Sequence, residues 1–155
     1  MSRPPVQLEM SVSYALPRKG LPSSASFRRW AEAALQERVR RADLAIRVVD
    51  EREGRALNRH YRGKDGATNV LSFPAELPEG VKLPVLGDIV MCAPVIAREA
   101  RAQGKELAAH YAHLTVHGVL HLLGWDHANT VEAEAMEALE RQILDSLGYD
   151  DPYEA

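Results

Sequence analysis

The first stretch of the chain alternates apolar and polar residues. Apolar side chains fall at every second position, at Val6, Leu8, Met10, Val12 and Tyr14, with Gln, Glu and Ser between them. A period of two is typical of a strand that buries one face. The sequence therefore predicts that the chain opens with a β-strand.

A helical period replaces this alternation after the Pro-, Gly- and Ser-containing residues 17–24. Phe27, Trp30, Ala34 and Leu35 lie at helical spacing, with arginines on the outer side. The pattern predicts an amphipathic helix over residues 26–41. Runs of β-branched residues and chain breakers predict four further elements before residue 93. They are a strand over 44–50, a helix over 51–61 that ends near Gly63, and strands over 69–73 and 86–92.

The second half of the chain is predicted to be helical. Pro94 is favourable in the first turn of a helix, and Asn129 followed by Glu132 resembles a capping box. The predicted helices run over residues 94–104, 106–123 and 129–148, and a glycine ends each of them. This order of elements predicts an α+β fold in which helices cover a small sheet.

Composition limits the classes of protein to which the chain can belong. With 155 residues, 46% of them hydrophobic, it has the usual size of one domain, so we expect a single domain over residues 1–155. Its one cysteine, Cys92, cannot form an intrachain disulfide. Neither a secretion signal nor an apolar run of membrane-spanning length is visible. We therefore expect a cytoplasmic protein without a membrane partner.

Charge is distributed unevenly although the net charge is only -3. Residues 1–64 hold 14 Lys and Arg against 7 Asp and Glu, which gives +7. Residues 65–155 hold 5 against 15, which gives -10. Such asymmetry points to a polyanionic partner for the basic part, although arginines that only solvate helix faces produce the same pattern.

The most specific signal is a group of histidines in the segment HLTVHGVLHLLGWDH. His117 and His121 are four residues apart on a predicted helix, so both rings project from one face. Gly124 permits a sharp turn that can bring His127 over the same face. Three imidazoles leave one position of a tetrahedral zinc ion open for water, as catalysis requires. The spacing therefore predicts a zinc-dependent hydrolase.

Two alternatives apply to these histidines. They could be polar positions on a helix surface or core histidines with satisfied hydrogen bonds, but neither explains the whole HxxxHxxGxxH pattern among apolar residues. His110 and His113 lie on nearly the same helical face. Either could support a ligand, but we favour ordinary packing or solvent exposure for both.

The residue after the first histidine departs from the zinc-peptidase pattern. Peptidases with this spacing carry a glutamate there as general base, whereas this chain has Gly118. Glycine cannot accept a proton. Either the base comes from elsewhere or the substrate is not a peptide.

Three segments resemble the YbeY-type endoribonucleases of bacterial ribosomal RNA maturation. They are HGVLHLLGWDH at 117–127, LNRHYRGKDGATNVLSFP at 57–74 and LGDIVMC at 86–92, and in the family's order they span about half the chain. The resemblance implies a mixed four-stranded sheet with helices, and one zinc ion held by His117, His121 and His127. It also implies cleavage of single-stranded RNA, processing of small-subunit ribosomal RNA, ribosome quality control, and the ribosome as partner. No DNA partner is expected.

The resemblance also singles out Arg62 as functionally important. A guanidinium can grip phosphate oxygens bidentately and offset the charge that builds on phosphorus during attack. Without the resemblance, Arg62 would be read as a surface arginine beside a turn. Thr68, Asn69 and Ser72 are interpreted as hydrogen-bonding turn and strand residues.

Three further expectations concern the surroundings of the site. Asp126 could orient an imidazole, accept a proton or cap the following turn, and we favour the structural role. Cys92 is interpreted as a buried packing residue rather than a ligand. Residues 86–91 are expected to line the cleft as an edge strand, by resemblance to zinc peptidases.

The leading hypothesis is a metal-dependent endoribonuclease in which Arg62 stabilises developing charge. The first alternative is a metallopeptidase, which Gly118 and the basic first half oppose. The second is a non-catalytic ribosome-assembly factor in which zinc serves folding.

Overall fold

The computed structural model describes residues 4–154. Two strands that are each followed by a helix come first, and two further strands and three further helices follow. The strands are β1 (Gln7–Tyr14), β2 (Arg41–Val49), β3 (Val70–Pro74) and β4 (Val85–Cys92). The helices are α1 (Ser24–Leu35), α2 (Glu51–Arg62), α3 (Ala93–Ala102), α4 (Leu107–Leu122) and α5 (Thr130–Ser146). Every predicted element is present, and the α+β class is confirmed.

The strands form one mixed sheet in the order β1-β2-β4-β3. β1, β2 and β4 run parallel, whereas β3 pairs antiparallel with β4. The expectation that residues 86–91 form an edge strand is wrong, because β4 lies between β2 and β3. A central strand is covered on both faces, which explains its apolar composition. The edge strand is β3.

Alternate residues of β4 enter two separate clusters of buried side chains. Ile89 and Met91 belong to the main core, whereas Val90 and Cys92 belong to a smaller cluster that includes Leu57 of α2. Successive side chains of a strand point to opposite faces. The main core therefore lies on one face of the sheet, and α2 packs on the other.

Helix α1 ends earlier than its apolar pattern predicts. It stops at Leu35 rather than near residue 41, and β2 begins at Arg41 rather than at residue 44. Glu37 adopts a left-handed conformation with φ of 72°. That conformation breaks the helix, and neither glycine nor proline marks it in the sequence.

Helix α4 is the central helix of the main core. Ten of its sixteen residues are buried, and it packs against α1, α3, α5 and the strands β3 and β4. A helix enclosed in this way is held rigidly. Side chains that project from its remaining face are therefore placed with precision. No helix within residues 4–154 combines the length and apolar character that crossing a membrane requires.

Candidate metal centre

Three histidines converge where α4 ends. The Nε2 atoms of His117 and His121 lie 3.1 Å apart, and the ring of His127 is centred 5.0 Å from that of His121 and 5.8 Å from that of His117. One nitrogen from each ring lies within 4.8 Å of the other two. The structure thus brings together all three residues that the spacing singled out, and this group could hold a metal ion.

The turn after α4 explains how His127 reaches the other two rings. Gly124 has a φ of +102°, a region that favours glycine. Its N–H donates to the carbonyl of His121 at 3.0 Å, and the N–H of Trp125 donates to the carbonyl of Leu120 at 3.0 Å. These bonds close the helix and reverse the chain, as the sequence predicted.

The group of three histidines is exposed to solvent on one side. His117 and His121 are half-buried, whereas His127 is exposed. Burial, with the neighbouring imidazoles of His117 and His127, lowers the pKa of His121. A lowered pKa keeps the ring neutral, and neutral imidazole is the form that binds metal.

Sequence reasoning missed Glu140, a fully buried residue of α5. Its Oε2 accepts a hydrogen bond from Nδ1 of His117 at 3.2 Å and from Nε2 of His113 at 2.8 Å. Its Oε1 accepts from the hydroxyl of Tyr153 at 2.8 Å. Because a carboxylate only accepts, Nδ1 of His117 must carry the proton, and Nε2 presents its lone pair to the site.

Glu140 is ionised despite its burial. Burial raises the pKa of its carboxyl, but the hydrogen bonds from His113 and His117 outweigh that effect and lower it to about 2. Buried charges are stable only when they are paired and hydrogen-bonded. The three donors meet this requirement, so Glu140 is an anion beside the histidine group at neutral pH.

The same contacts decide between the alternatives for two other histidines. His113 supports the site, because it shares Glu140 with His117. His110 is buried and bonded to Glu99 at 2.9 Å. Burial lowers the pKa of His110, although the Glu99 hydrogen bond opposes this. His110 therefore serves packing on the α3 side of the core.

A cleft of about 590 Å³ opens over the histidines. Its walls are formed by residues 68–74, by Tyr61 and Arg62 at the end of α2, and by Asp126. Gly63, with a φ of 67°, ends α2 and leaves Arg62 on the last turn. The side chain of Arg62 is exposed and makes no ion pair or hydrogen bond within residues 4–154. Its guanidinium is therefore available to a ligand in the cleft.

Gly118 allows α4 to approach the sheet closely. A Cβ atom at this position would lie 3.0 Å from Cδ1 of Ile89 and 3.3 Å from Oγ of Ser72. Ser72 in turn donates to the carbonyl of Gly118 at 3.3 Å. Gly118, at the position that carries the general base in zinc peptidases, thus packs against β3 and β4.

Asn69, Asp126 and Cys92 have the structural contacts that the sequence suggested. Asn69 donates to the Glu99 carboxylate at 3.0 Å, and its Oδ1 accepts from the N–H of Val70 at 2.7 Å. Oδ1 of Asp126 accepts from the N–H of His127 at 2.8 Å, which shapes the turn.

Cys92 is buried in the smaller cluster, and burial raises the pKa of its thiol. It is a packing residue, as predicted.

Comparison with known proteins places this geometry in a family. The family model described as "Endoribonuclease YbeY" matches residues 19–148, a span that contains the three histidines, Arg62 and Glu140. A solution structure of a Thermotoga maritima protein is similar in fold. Its TM-score is 0.59 at 21% identity, over 94% of this chain and 99% of that one.

Curated relatives match almost the whole chain. The Endoribonuclease YbeY of Xanthomonas axonopodis pv. citri is 71% identical over 99% of this chain and 98% of its own length. The Endoribonuclease YbeY of Stenotrophomonas maltophilia matches with the same identity and coverage. The resemblance inferred from the three motifs is confirmed, and the chain belongs to the YbeY endoribonuclease family.

Proposed function

We propose that the chain is a zinc-dependent endoribonuclease that cleaves single-stranded RNA and holds one zinc ion through His117, His121 and His127. The observation that carries the proposal is the convergence of three imidazoles at the bottom of an open cleft. Two nitrogens bound to a tetrahedral zinc at about 2.0–2.1 Å lie about 3.3 Å apart. The 3.1 Å between the Nε2 atoms of His117 and His121 fits that value.

The protein's own residues supply binding and orientation. Zinc, when bound, supplies Lewis acidity that activates water near neutral pH. Glu140 fixes the tautomer of His117, so that Nε2 is the atom offered to the metal. Arg62 binds phosphate oxygens bidentately and offsets the negative charge that develops on phosphorus.

The packing of Gly118 favours a phosphodiester substrate over a peptide. A zinc peptidase with this histidine spacing uses the carboxylate at that position to transfer protons. Here the first carbon of such a side chain would already lie 3.0 Å from Cδ1 of Ile89 and 3.3 Å from Oγ of Ser72. An RNA substrate instead brings anionic phosphates, which suit Arg62 and the excess of 14 basic over 7 acidic residues in the first 64.

Family membership supports a cellular role for the enzyme. We propose that this single hydrolase domain acts in the cytoplasm on the ribosome, where it processes the 3′ end of small-subunit ribosomal RNA and takes part in ribosome quality control. Depletion of the protein should then cause small-subunit RNA with an unprocessed 3′ end to accumulate. Normal processing in depleted cells would contradict this role.

A direct test compares three substrates under matched conditions. The purified protein should cleave single-stranded RNA, leave a duplex of the same sequence largely intact, and leave an unfolded polypeptide intact. Cleavage should weaken steeply as salt rises, because binding releases counterions from the phosphates. Chelator-sensitive cleavage of the polypeptide with intact RNA would instead identify a metallopeptidase.

A further inference from the structure

A second groove of about 490 Å³ adjoins the cleft on the face of the sheet that α2 only partly covers. We call it the outer groove. Its floor includes Ala45 and Val90, and polar groups of Ser13, Arg47 and Asp88 lie along it. Tyr61 and Phe73 line both the outer groove and the cleft, so the two adjoin at these side chains.

The boundary between the two grooves is an aromatic pair. The rings of Tyr61 and Phe73 have centroids 5.0 Å apart at an angle of 62°. Tyr61 is nevertheless 61% exposed. Its ring thus packs against Phe73 and still presents a large open surface, next in sequence to Arg62.

Charged groups at the outer groove are placed for hydrogen bonding. Arg47 donates two hydrogen bonds to the Glu53 carboxylate, of 2.6 Å from Nε and 3.0 Å from Nη2. Its Nη1 lies 3.5 Å from Oγ of Ser13. Asp88 is opposite Phe73 in the β3–β4 pairing. The outer groove therefore combines an apolar floor with polar side chains along its margin, as sites for planar polar ligands do.

We propose that Tyr61 and Phe73 form a subsite for one nucleobase of the RNA strand, next to the phosphate bound at Arg62. The proposal rests on the proposed function and names the part of the substrate that the outer groove takes. Aromatic rings beside a basic groove bind single-stranded nucleic acid by stacking, whatever the base. Tyr61 stacks on the base, and Asp88, the cross-strand neighbour of Phe73, lies beside its edge.

The test measures equilibrium binding of a short single-stranded RNA to the full-length protein with its metal removed, so that no cleavage occurs. Tyr61→Leu should weaken binding about tenfold, since one base–aromatic stack contributes about 1–3 kcal/mol. Tyr61→Phe and Tyr61→Trp retain a ring and should bind as the parent does. Val131→Ala, at an exposed apolar residue outside both grooves, is the control for loss of surface apolar area.

A scan with abasic nucleotides locates the stacked base and does not depend on any variant's folding. One abasic position should weaken binding to the parent protein about tenfold, and the same position should cost Tyr61→Leu almost nothing. The subsite would be overturned if every abasic position weakened binding equally. It would also be overturned if an abasic position weakened binding to the parent protein and to Tyr61→Leu by the same factor. Unchanged binding by Tyr61→Leu would overturn it too, and tight binding of an apolar peptide there would identify a different occupant.

Failure of the proposed function gives a different result. Tyr61-dependent RNA binding by a protein that cleaves no RNA when its metal is restored would overturn the nuclease assignment and leave the base subsite standing. Metal-dependent cleavage that depends on neither Tyr61 nor any abasic position would overturn the base subsite and leave the nuclease assignment standing.

Discussion

Oε2 of Glu140 lies 3.2 Å from Nδ1 of His117, although the two residues are 23 positions apart in the chain. Glu140 has no exposed surface. The contact ties α5 to the metal-facing side of α4 and sets which nitrogen of His117 faces the cleft. An outer hydrogen bond of this kind orients a ligand and raises its basicity.

Glu140→Gln is expected to lower the affinity for zinc about 10- to 100-fold, the usual effect of losing such a partner. The amide keeps the shape of the side chain but removes its negative charge. Competition with a chromogenic chelator measures the affinity. Glu134→Gln, on an exposed position of α5, is the matched control, and equal affinities of the two variants would refute the role given to Glu140.

His121→Ala should abolish stoichiometric metal binding, because two imidazoles are too few to hold a catalytic zinc ion. His113→Ala should retain one metal per chain, since His113 contacts Glu140 rather than the site itself. Elemental analysis of the purified variants measures both. A full metal content in single variants of all three proposed ligands would show that the site lies elsewhere.

Arg62→Lys should reduce RNA turnover about 10- to 100-fold while the thermal unfolding midpoint stays nearly constant. Lysine keeps the charge but loses the planar pair of donors that matches a phosphate. The side chain makes no ion pair or hydrogen bond within residues 4–154, so its replacement removes no contact that supports the fold. A variant that unfolds early and, when folded, cleaves normally would make Arg62 a structural residue.

Gly118→Glu is expected to destabilise the fold by about 1–3 kcal/mol and to produce no peptidase activity. The new side chain must displace Ile89 or Ser72, and forcing extra atoms into a packed contact costs about that much. Gly118→Ala is the control. Its single methyl group costs less, and its better helix propensity of about 1 kcal/mol offsets the strain. Urea unfolding and a peptide-cleavage assay measure the two effects, and a stable, peptide-cleaving Gly118→Glu would contradict this explanation.

Local patterns in the sequence predicted much of the fold and three members of the site. His117, His121 and His127 lie within eleven residues, so helical spacing and one glycine suffice to bring them together. Contacts between distant segments could not be read in this way. The central position of β4 depends on its pairing with β2 and β3. Its apolar run is compatible with either a central strand or an edge strand.

Glu140 illustrates the same limit within the site. It lies four residues after Met136 on the buried side of α5, and a carboxylate in an apolar stripe is a signal that the sequence does contain. Nothing local identifies its partners, because His113 and His117 belong to another helix. The early end of α1 has no local signal either, since a glutamate adopts the left-handed conformation at residue 37.

The most direct test of the account is a titration of metal-free protein with zinc, in which the initial rate of single-stranded RNA cleavage and the folded fraction are followed together. We predict that the protein is folded but inactive without metal, that activity rises to a plateau at one zinc per chain, and that His121→Ala stays inactive throughout. Full cleavage by the metal-free protein would contradict the account. So would a protein that folds only with zinc and cleaves no RNA, which would instead be a zinc-stabilised assembly factor.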